Sequence, residues 1–160
     1  MQHLWAPWRV EYIMMPKPAG CILCEKPAQN EDERNYILYR GERNFVILNA
    51  FPYNPGHAMV VPYKHVAGLD ELSGEDVLEH WEIVKRCIAW ISEAMHPAGF
   101  NIGINVGKAA GAGVVGHIHT HVVPRWEGDV NFMTVIPDTR VVPEALAATY
   151  EKLKGQVVIV

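Results

Sequence analysis

The stretch that decides the fold is Gly116-His117-Ile118-His119-Thr120-His121-Val122-Val123-Pro124. Its histidines alternate with apolar or β-branched residues, and this alternation is the two-residue period of a β-strand. We therefore predict that His117, His119 and His121 project from one face of a strand. Three imidazoles on one sheet face need hydrogen-bond partners, a metal ion or a substrate to satisfy their ring nitrogens.

A glycine-rich segment, residues 107–116, precedes the histidine strand. Glycines let backbone N–H groups approach an anion closely, so one interpretation is a phosphate cradle beside a nucleophilic histidine. The residues alone leave two others open: a surface strand, and a site in which the three histidines share one metal ion. The glycines by themselves decide little, because most glycine-rich loops are turns.

The remaining hydrophobic pattern predicts an α+β fold with a mostly antiparallel five-stranded sheet. The other strands are expected at residues 36–40, 45–48, 58–61 and 100–105. A long helix should begin at Ser73, with Asp76 completing a capping box, and end before Pro97. A last helix is expected over residues 143–154, and residues 1–34 are expected to be irregular. With one long helix on the sheet, the second face should be left uncovered.

The length, composition and net charge of the chain limit the classes of protein to which it can belong. The 160 residues suit one domain, residues 1–160 with a core over residues 36–126, and 49% of them are hydrophobic and 20% charged, as in globular proteins. The net charge of −4 argues against a nucleic acid polymer as partner. We expect no membrane segment, because no apolar run is long enough, and no secretory signal, so a cytoplasmic location is expected.

Two cysteines form the spacing C-x-x-C in Cys21-Ile22-Leu23-Cys24. A redox pair usually sits at the start of a long helix, and the sequence predicts none there. Two unrelated buried cysteines are a second interpretation, although it leaves the spacing unexplained. Half of a tetrahedral zinc site is the third, and it requires two more ligands.

Several motifs together resemble the histidine-triad nucleotide hydrolase and transferase family. The histidine strand matches its His-φ-His-φ-His-φ-φ signature, where φ is apolar and Thr120 is a mild departure. Residues 49–62 resemble its second marker, with Asn49 eight positions before His57. Residues 4–9 and 125–132 resemble the bacterial branch that contains diadenosine tetraphosphate phosphorylases. The family's α+β fold agrees with the strands and helices predicted above.

The resemblance implies roles for the matching residues. His119 would be the nucleophile that attacks the α-phosphorus of a nucleotide, giving a nucleotidyl-histidine. His121 would act on the phosphate oxygens or the leaving group. Asn49 would contact the ribose, and Asn105 the phosphate side. Backbone N–H groups of the loop would bind phosphate, at Gly111 and Gly113. His57 would either support the triad or be a buried structural histidine.

The resemblance also implies a structural zinc ion bound by Cys21, Cys24, His65 and His117, and a homodimer. Many hydrolases of the family carry Gly-Gln-Ser or Gly-Gln-Thr before the triad, whereas residues 111–116 contain neither Gln nor Ser. This departure and the branch resemblance favour phosphorolysis of dinucleoside polyphosphates, with inorganic phosphate as second substrate, over hydrolysis. An adenosine 5'-phosphoramidase and a nucleotide-sensing module without turnover are the alternatives.

Other polar residues carry no recognisable pattern. We expect His80 and His96 on the solvated surface, together with Lys108 and Arg125, which flank the proposed site in sequence. Cys87 falls within the apolar pattern of the long helix, so we expect it to be buried.

Overall fold

The computed structural model describes residues 20–129 and 144–157, and at its centre is a five-stranded sheet. The strands are β1 (Ile37–Arg40), β2 (Asn44–Leu48), β3 (Ala58–Pro62), β4 (Gly99–Ile104) and β5 (Thr120–Arg125). They lie in the order β1-β2-β3-β5-β4, and every pairing is antiparallel. The predicted α+β fold with a five-stranded antiparallel sheet is confirmed.

Within the described ranges, the α-helices are α1 (Ile22–Ala28), α2 (Asp32–Asn35), α3 (Gly74–Met95) and α4 (Leu146–Lys154). Helix α3 has the predicted capping box, because the Ser73 hydroxyl accepts the Asp76 N–H and the Asp76 carboxylate accepts the Ser73 N–H. It ends at His96, which adopts a left-handed conformation with φ 48°. No described helix combines the length and apolar character needed to cross a bilayer.

Strand β2 is buried on both faces of the sheet. Val46 and Leu48 belong to the core under α3, whereas Phe45 and Ile47 pack with Leu23 of α1. The expectation of an uncovered second face is therefore wrong over this strand, because α1 covers it. A seven-residue helix has too few apolar positions to show a helical period in sequence.

Helix α1 also corrects the expectation that residues 1–34 are irregular. Residues 1–19 lie outside the described ranges, but α1 and α2 occupy most of residues 22–35. Pro27 sits in the last turn of α1 and is buried. A proline there removes only one helical hydrogen bond, and its carbonyl accepts from Arg40 of β1 over 2.9 Å.

The histidine strand is shorter than predicted. Strand β5 begins at Thr120, so His117 and His119 precede it. The N–H of Ile118 donates to the carbonyl of Val66, 2.7 Å away, rather than to a neighbouring strand. This segment is therefore hydrogen-bonded to the turn after β3 before the chain enters the sheet at Thr120. As a result, His117 and His119 have different surroundings.

Candidate active site and metal centre

His119 and His121 line one cavity at the start of β5, with their ring centroids 4.8 Å apart. The same cavity is lined by the other residues predicted to bind substrate: Asn49, Asn105, Gly111 and Gly113. The structure therefore brings together six residues that are spread over 73 positions of the chain. Their roles in catalysis and binding remain predictions.

The hydrogen bonding of His119 fixes which ring nitrogen carries its proton. His119 Nδ1 lies 2.9 Å from the carbonyl oxygen of His117. A carbonyl only accepts, so Nδ1–H donates and the neutral ring keeps its lone pair on Nε2. Burial lowers the pKa of His119, although the bond to His117 partly offsets this effect. The ring is therefore neutral near pH 7, with Nε2 available to act as a nucleophile.

A relay of hydrogen bonds gives His121 the opposite arrangement. The N–H of Tyr53 donates to His57 Nδ1 over 3.1 Å, so the neutral His57 ring carries its proton on Nε2. His57 Nε2 lies 2.9 Å from His121 Nδ1 and donates to it. His121 therefore presents Nε2–H as a donor. Burial, followed by the charge of His119, lowers the pKa of His121 to about 4, so this ring is also neutral.

Asn49 is oriented by its own turn. Its Oδ1 accepts the N–H of Phe51 over 2.9 Å, which is an Asx-turn contact. Its Nδ2 lies 3.5 Å from His57 Nε2, too far for a strong hydrogen bond. The amide is therefore fixed at the rim of the cavity and retains donor capacity for a ligand.

Sequence reasoning assigned no role to several other residues that line the cavity, among them Ile22, Leu23, Lys26, Phe51 and Tyr53. The first three come from α1, which was not predicted. The two aromatic residues lie in the turn-rich loop between Asn49 and His57, where no pattern distinguishes a ligand-facing side chain from a solvated one.

Arg125 does not line the cavity. Its guanidinium pairs with Asp129 at 2.6 Å and donates to Asn101.

His80 is buried, so the expectation that it lies on the solvated surface is wrong. Only 3% of the residue is exposed. Its Nδ1–H donates to Asn44 Oδ1 over 2.8 Å, and the Thr120 hydroxyl donates to its Nε2 over 2.6 Å. Burial lowers its pKa to about 4, so the ring is neutral. The sequence showed a single polar residue on a helix and gave no sign that both of its partners are buried.

Four predicted metal ligands come together beside the segment that carries His119. The Sγ atoms of Cys21 and Cys24 and one ring nitrogen each of His65 and His117 lie within 4.8 Å of one another. His117 Nδ1 is 3.3 Å from Cys21 Sγ and 3.4 Å from Cys24 Sγ, and His65 Nδ1 is 3.3 Å from Cys24 Sγ. These four side chains could hold a metal ion.

The second ring nitrogen of His117 supports this arrangement. His117 Nε2 donates to the carbonyl of Pro62 over 2.8 Å, which leaves the Nδ1 lone pair directed at the cysteines. His117 thus faces the cysteines, while His119 and His121 face the cavity. This division contradicts the interpretation in which the three histidines share one metal ion.

The family is decided by comparison with known proteins. The model of the HIT domain, the histidine-triad domain, matches residues 30–128. This chain belongs to the HIT domain family. It is 38% identical over 157 residues to the AP-4-A phosphorylase of Mycobacterium tuberculosis, a match that covers 93% of this chain and 80% of that protein.

Two further HIT relatives bear on the site. The bis(5'-adenosyl)-triphosphatase of Dictyostelium discoideum is 31% identical over 93 residues, covering 58% of this chain and 62% of that protein. The crystal structure of a Zn-bound histidine triad family protein from Mycobacterium smegmatis is 30% identical with a TM-score of 0.70. That match covers 86% of this chain and 92% of the other.

Proposed function

We propose that this HIT protein is a nucleotidyl-transferring enzyme that cleaves dinucleoside polyphosphates such as diadenosine tetraphosphate. The observation that carries the proposal is the bond from His119 Nδ1–H to the His117 carbonyl, which leaves a neutral imidazole with its Nε2 lone pair at the cavity. The names of the relatives, AP-4-A phosphorylase and bis(5'-adenosyl)-triphosphatase, supply the substrate class.

In the first step, His119 Nε2 forms a bond to the α-phosphorus, and the bond from that phosphorus to the bridging oxygen breaks. The oxygen leaves with the electron pair, as part of a nucleoside polyphosphate. His121 Nε2–H donates a hydrogen bond to the departing oxygen and stabilises its developing charge, because the relay through His57 holds that proton on Nε2. The products are a nucleotidyl-histidine and, from diadenosine tetraphosphate, ATP.

In the second step, an oxygen of inorganic phosphate attacks the α-phosphorus and the bond to His119 Nε2 breaks. The nitrogen recovers its lone pair and ADP is released. Water in place of phosphate would give AMP. We favour phosphorolysis because the loop of residues 111–116 has no Gln or Ser side chain to occupy the space beside the phosphates. The backbone N–H of Gly113 would then donate to a phosphate oxygen, whereas the Gly111 N–H already donates to the Lys108 carbonyl over 3.1 Å.

The remaining polar residues of the cavity would position the nucleotide. Asn49, whose carbonyl oxygen is already engaged by the Phe51 N–H, has amide hydrogens available for a ribose hydroxyl. Asn105 lies on the same cavity just after β4 and would donate to the phosphates or leaving group. Both assignments follow from placement around the two histidines.

We also propose that Cys21, Cys24, His65 and His117 bind a structural zinc ion. With Zn–S of about 2.3 Å and Zn–N of about 2.0–2.1 Å, a tetrahedral site separates sulfur from nitrogen by about 3.6 Å. The observed separations of 3.3–3.4 Å are close to that value. Four protein ligands leave no open position, so the ion would stabilise the fold by joining α1 to the segment before His119.

A second copy of this chain is the proposed partner in solution. Strand β4 lies at the edge of the sheet formed by the described residues, and Ile102 on this strand is 41% exposed. An exposed apolar side chain on an unpaired strand edge favours pairing with another strand. Light scattering should give twice the chain mass for the natural protein, and Ile102→Lys should shift the mass toward that of the monomer.

The test of the proposed function is incubation with diadenosine tetraphosphate, with and without inorganic phosphate, followed by chromatography of the products. ADP plus ATP formed only with phosphate supports phosphorolysis, whereas AMP formed at the same rate without phosphate supports hydrolysis. Preferential cleavage of an AMP–amine compound would support a phosphoramidase. Tight nucleotide binding with no turnover of any of these substrates would contradict the enzymatic proposal.

A further inference from the structure

Lys26 is a cation at the proposed nucleotide cavity. It lies on α1 one helical turn after Ile22, and residues four apart share one face of a helix. Both side chains line the cavity that contains His119 and His121. The helix that follows the predicted zinc ligand Cys21 therefore also carries a charged residue to the cavity.

No carboxylate within residues 20–129 and 144–157 forms an ion pair with Lys26. The neighbouring basic residue Arg40, by contrast, is held by Asp32 at 2.7 Å and by the Pro27 carbonyl. Lys26 is half-buried. Keeping a desolvated cation without an internal partner is costly, and a hydrogen-bond acceptor on a ligand would offset that cost.

The direction of α1 indicates which part of the nucleotide Lys26 meets. Helix α1 follows Cys21, whose Sγ is 3.3 Å from His117 Nδ1, and the glycine-rich loop ends beside the same cluster at Gly116. With a rise of about 1.5 Å per residue, Lys26 lies about 7–8 Å farther along the helix axis. It therefore lies on the part of α1 that leads away from the metal cluster.

The cavity wall near Lys26 suits a nucleobase. Ile22 and Leu23 of α1 and Phe51 of the opposite loop line the same cavity, and apolar side chains of this kind pack against the flat face of a base. A base buried between such side chains leaves its polar edge to be satisfied by the few polar groups present. Lys26 is the cationic residue of that wall.

We propose that Lys26 donates to the acceptor edge of the bound nucleobase and biases the cavity toward guanine. Guanine presents two adjacent acceptors, N7 and O6, to which lysine commonly donates. Adenine presents N7 beside the N6 amino group, which is itself a donor and repels an ammonium. This inference rests on the proposed function, because it assumes that the cavity holds a nucleotide.

Calorimetric binding of GMP, AMP and ribose 5-phosphate to the full chain tests the proposal without relying on turnover. The test variant is Lys26→Met, which keeps the length of the side chain and removes the charge. Lys85→Met is the matched control, since Lys85 is exposed on α3 and pairs with Glu82. Lys26→Arg retains a cation at the same position.

We expect Lys26→Met to lower the ratio of GMP affinity to AMP affinity at least about fivefold, the lower end expected for a lost lysine–guanine contact. Ribose 5-phosphate should bind all four proteins equally, and Lys26→Arg and Lys85→Met should keep the natural ratio. An unchanged ratio in Lys26→Met overturns the proposal. So does an equal loss of affinity for ribose 5-phosphate, which would place Lys26 on the phosphates.

The binding data distinguish a failure of the proposed function from a failure of the proposed role of Lys26. If the natural protein binds none of the three ligands, the proposed function fails and the role of Lys26 fails with it. If the natural protein binds nucleotides but the ratio is insensitive to Lys26, only the role of Lys26 fails.

Discussion

The Thr120 hydroxyl lies 2.6 Å from His80 Nε2 and links helix α3 to strand β5 between the two histidines of the cavity. Asn44 on β2 holds the other nitrogen of the same ring at 2.8 Å. Thr120 has no exposed surface and its side chain points away from the cavity, toward the helix. The neutral imidazole of His80 thus connects three elements on the opposite side of the sheet from the proposed chemistry.

The lowered pKa of His80 predicts a dependence of stability on pH. The folded protein protonates His80 only near pH 4, whereas the unfolded chain does so near pH 6.5. The unfolded state therefore binds this proton first, and stability falls as the pH decreases from about 6.5 to about 4. At about 1.4 kcal/mol per pKa unit, the loss is on the order of 3 kcal/mol. Urea unfolding at a series of pH values measures it.

His80→Leu should remove this contribution while lowering stability at pH 7, because the buried partners Asn44 and Thr120 lose their hydrogen bonds. The other buried histidines titrate in both proteins, so the difference between the two stability curves isolates His80. A difference that stays constant between pH 7 and pH 4 would show that His80 is not held neutral in the folded state.

The hydrogen-bond relay through His57 predicts that substitution of His57 lowers kcat while leaving KM nearly unchanged. His57→Phe keeps a ring stacked near Tyr53 but removes the donor to His121 Nδ1, so the proton of His121 is no longer held on Nε2. We expect kcat on diadenosine tetraphosphate to fall about 100-fold, as for loss of one hydrogen-bond donor to the departing oxygen, with KM changed little. His57→Gln, which can still donate, should lose less. Steady-state kinetics with equal losses in both variants would contradict the relay.

Much of this site could be predicted because its residues lie in short, ordered motifs. The period-two pattern indicated the strand that carries His121, although β5 begins only at Thr120, and Asn49 and His57 have a fixed spacing in sequence. The four metal ligands also came together as predicted, although 96 positions separate Cys21 from His117. The resemblance to a family supplied the combination of these cysteines with His65 and His117, since the C-x-x-C spacing alone left three interpretations open.

The residues that could not be predicted depend on tertiary contacts. Helix α1 has only seven residues and contains Pro27, so neither periodicity nor propensity indicated a helix, and Lys26 was missed with it. His80 was misjudged for another reason. A lone histidine on a helix is consistent with a solvated position unless its partners are known, and those partners lie 36 and 40 positions away.

The proposed zinc site predicts that metal stabilises the fold without taking part in the reaction. Elemental analysis should find about one zinc per chain in the natural protein and none in Cys24→Ser. The variant should unfold at a markedly lower temperature, because α1 is no longer joined to the segment before His119. Where Cys24→Ser remains folded, its kcat should stay within a few-fold of the natural value.

Cys87→Ala is the matched control, since Cys87 is only 1% exposed in the core under α3 and is not part of the metal cluster. It should bind zinc as the natural protein does. A Cys24→Ser protein that is fully stable yet inactive would instead assign the metal to the reaction.

The central claim is that His119 Nε2 becomes bonded to the α-phosphorus, and intact mass spectrometry tests it most directly. The natural protein, mixed with diadenosine tetraphosphate without phosphate and quenched at once, should gain one adenylyl group per chain, located on His119. Adding phosphate before the quench should remove the group as ADP. His119→Asn should bind the nucleotide, form no adduct and turn over at least about 1,000-fold more slowly. An adduct on another residue, or His119→Asn turning over at the natural rate, would contradict the claim.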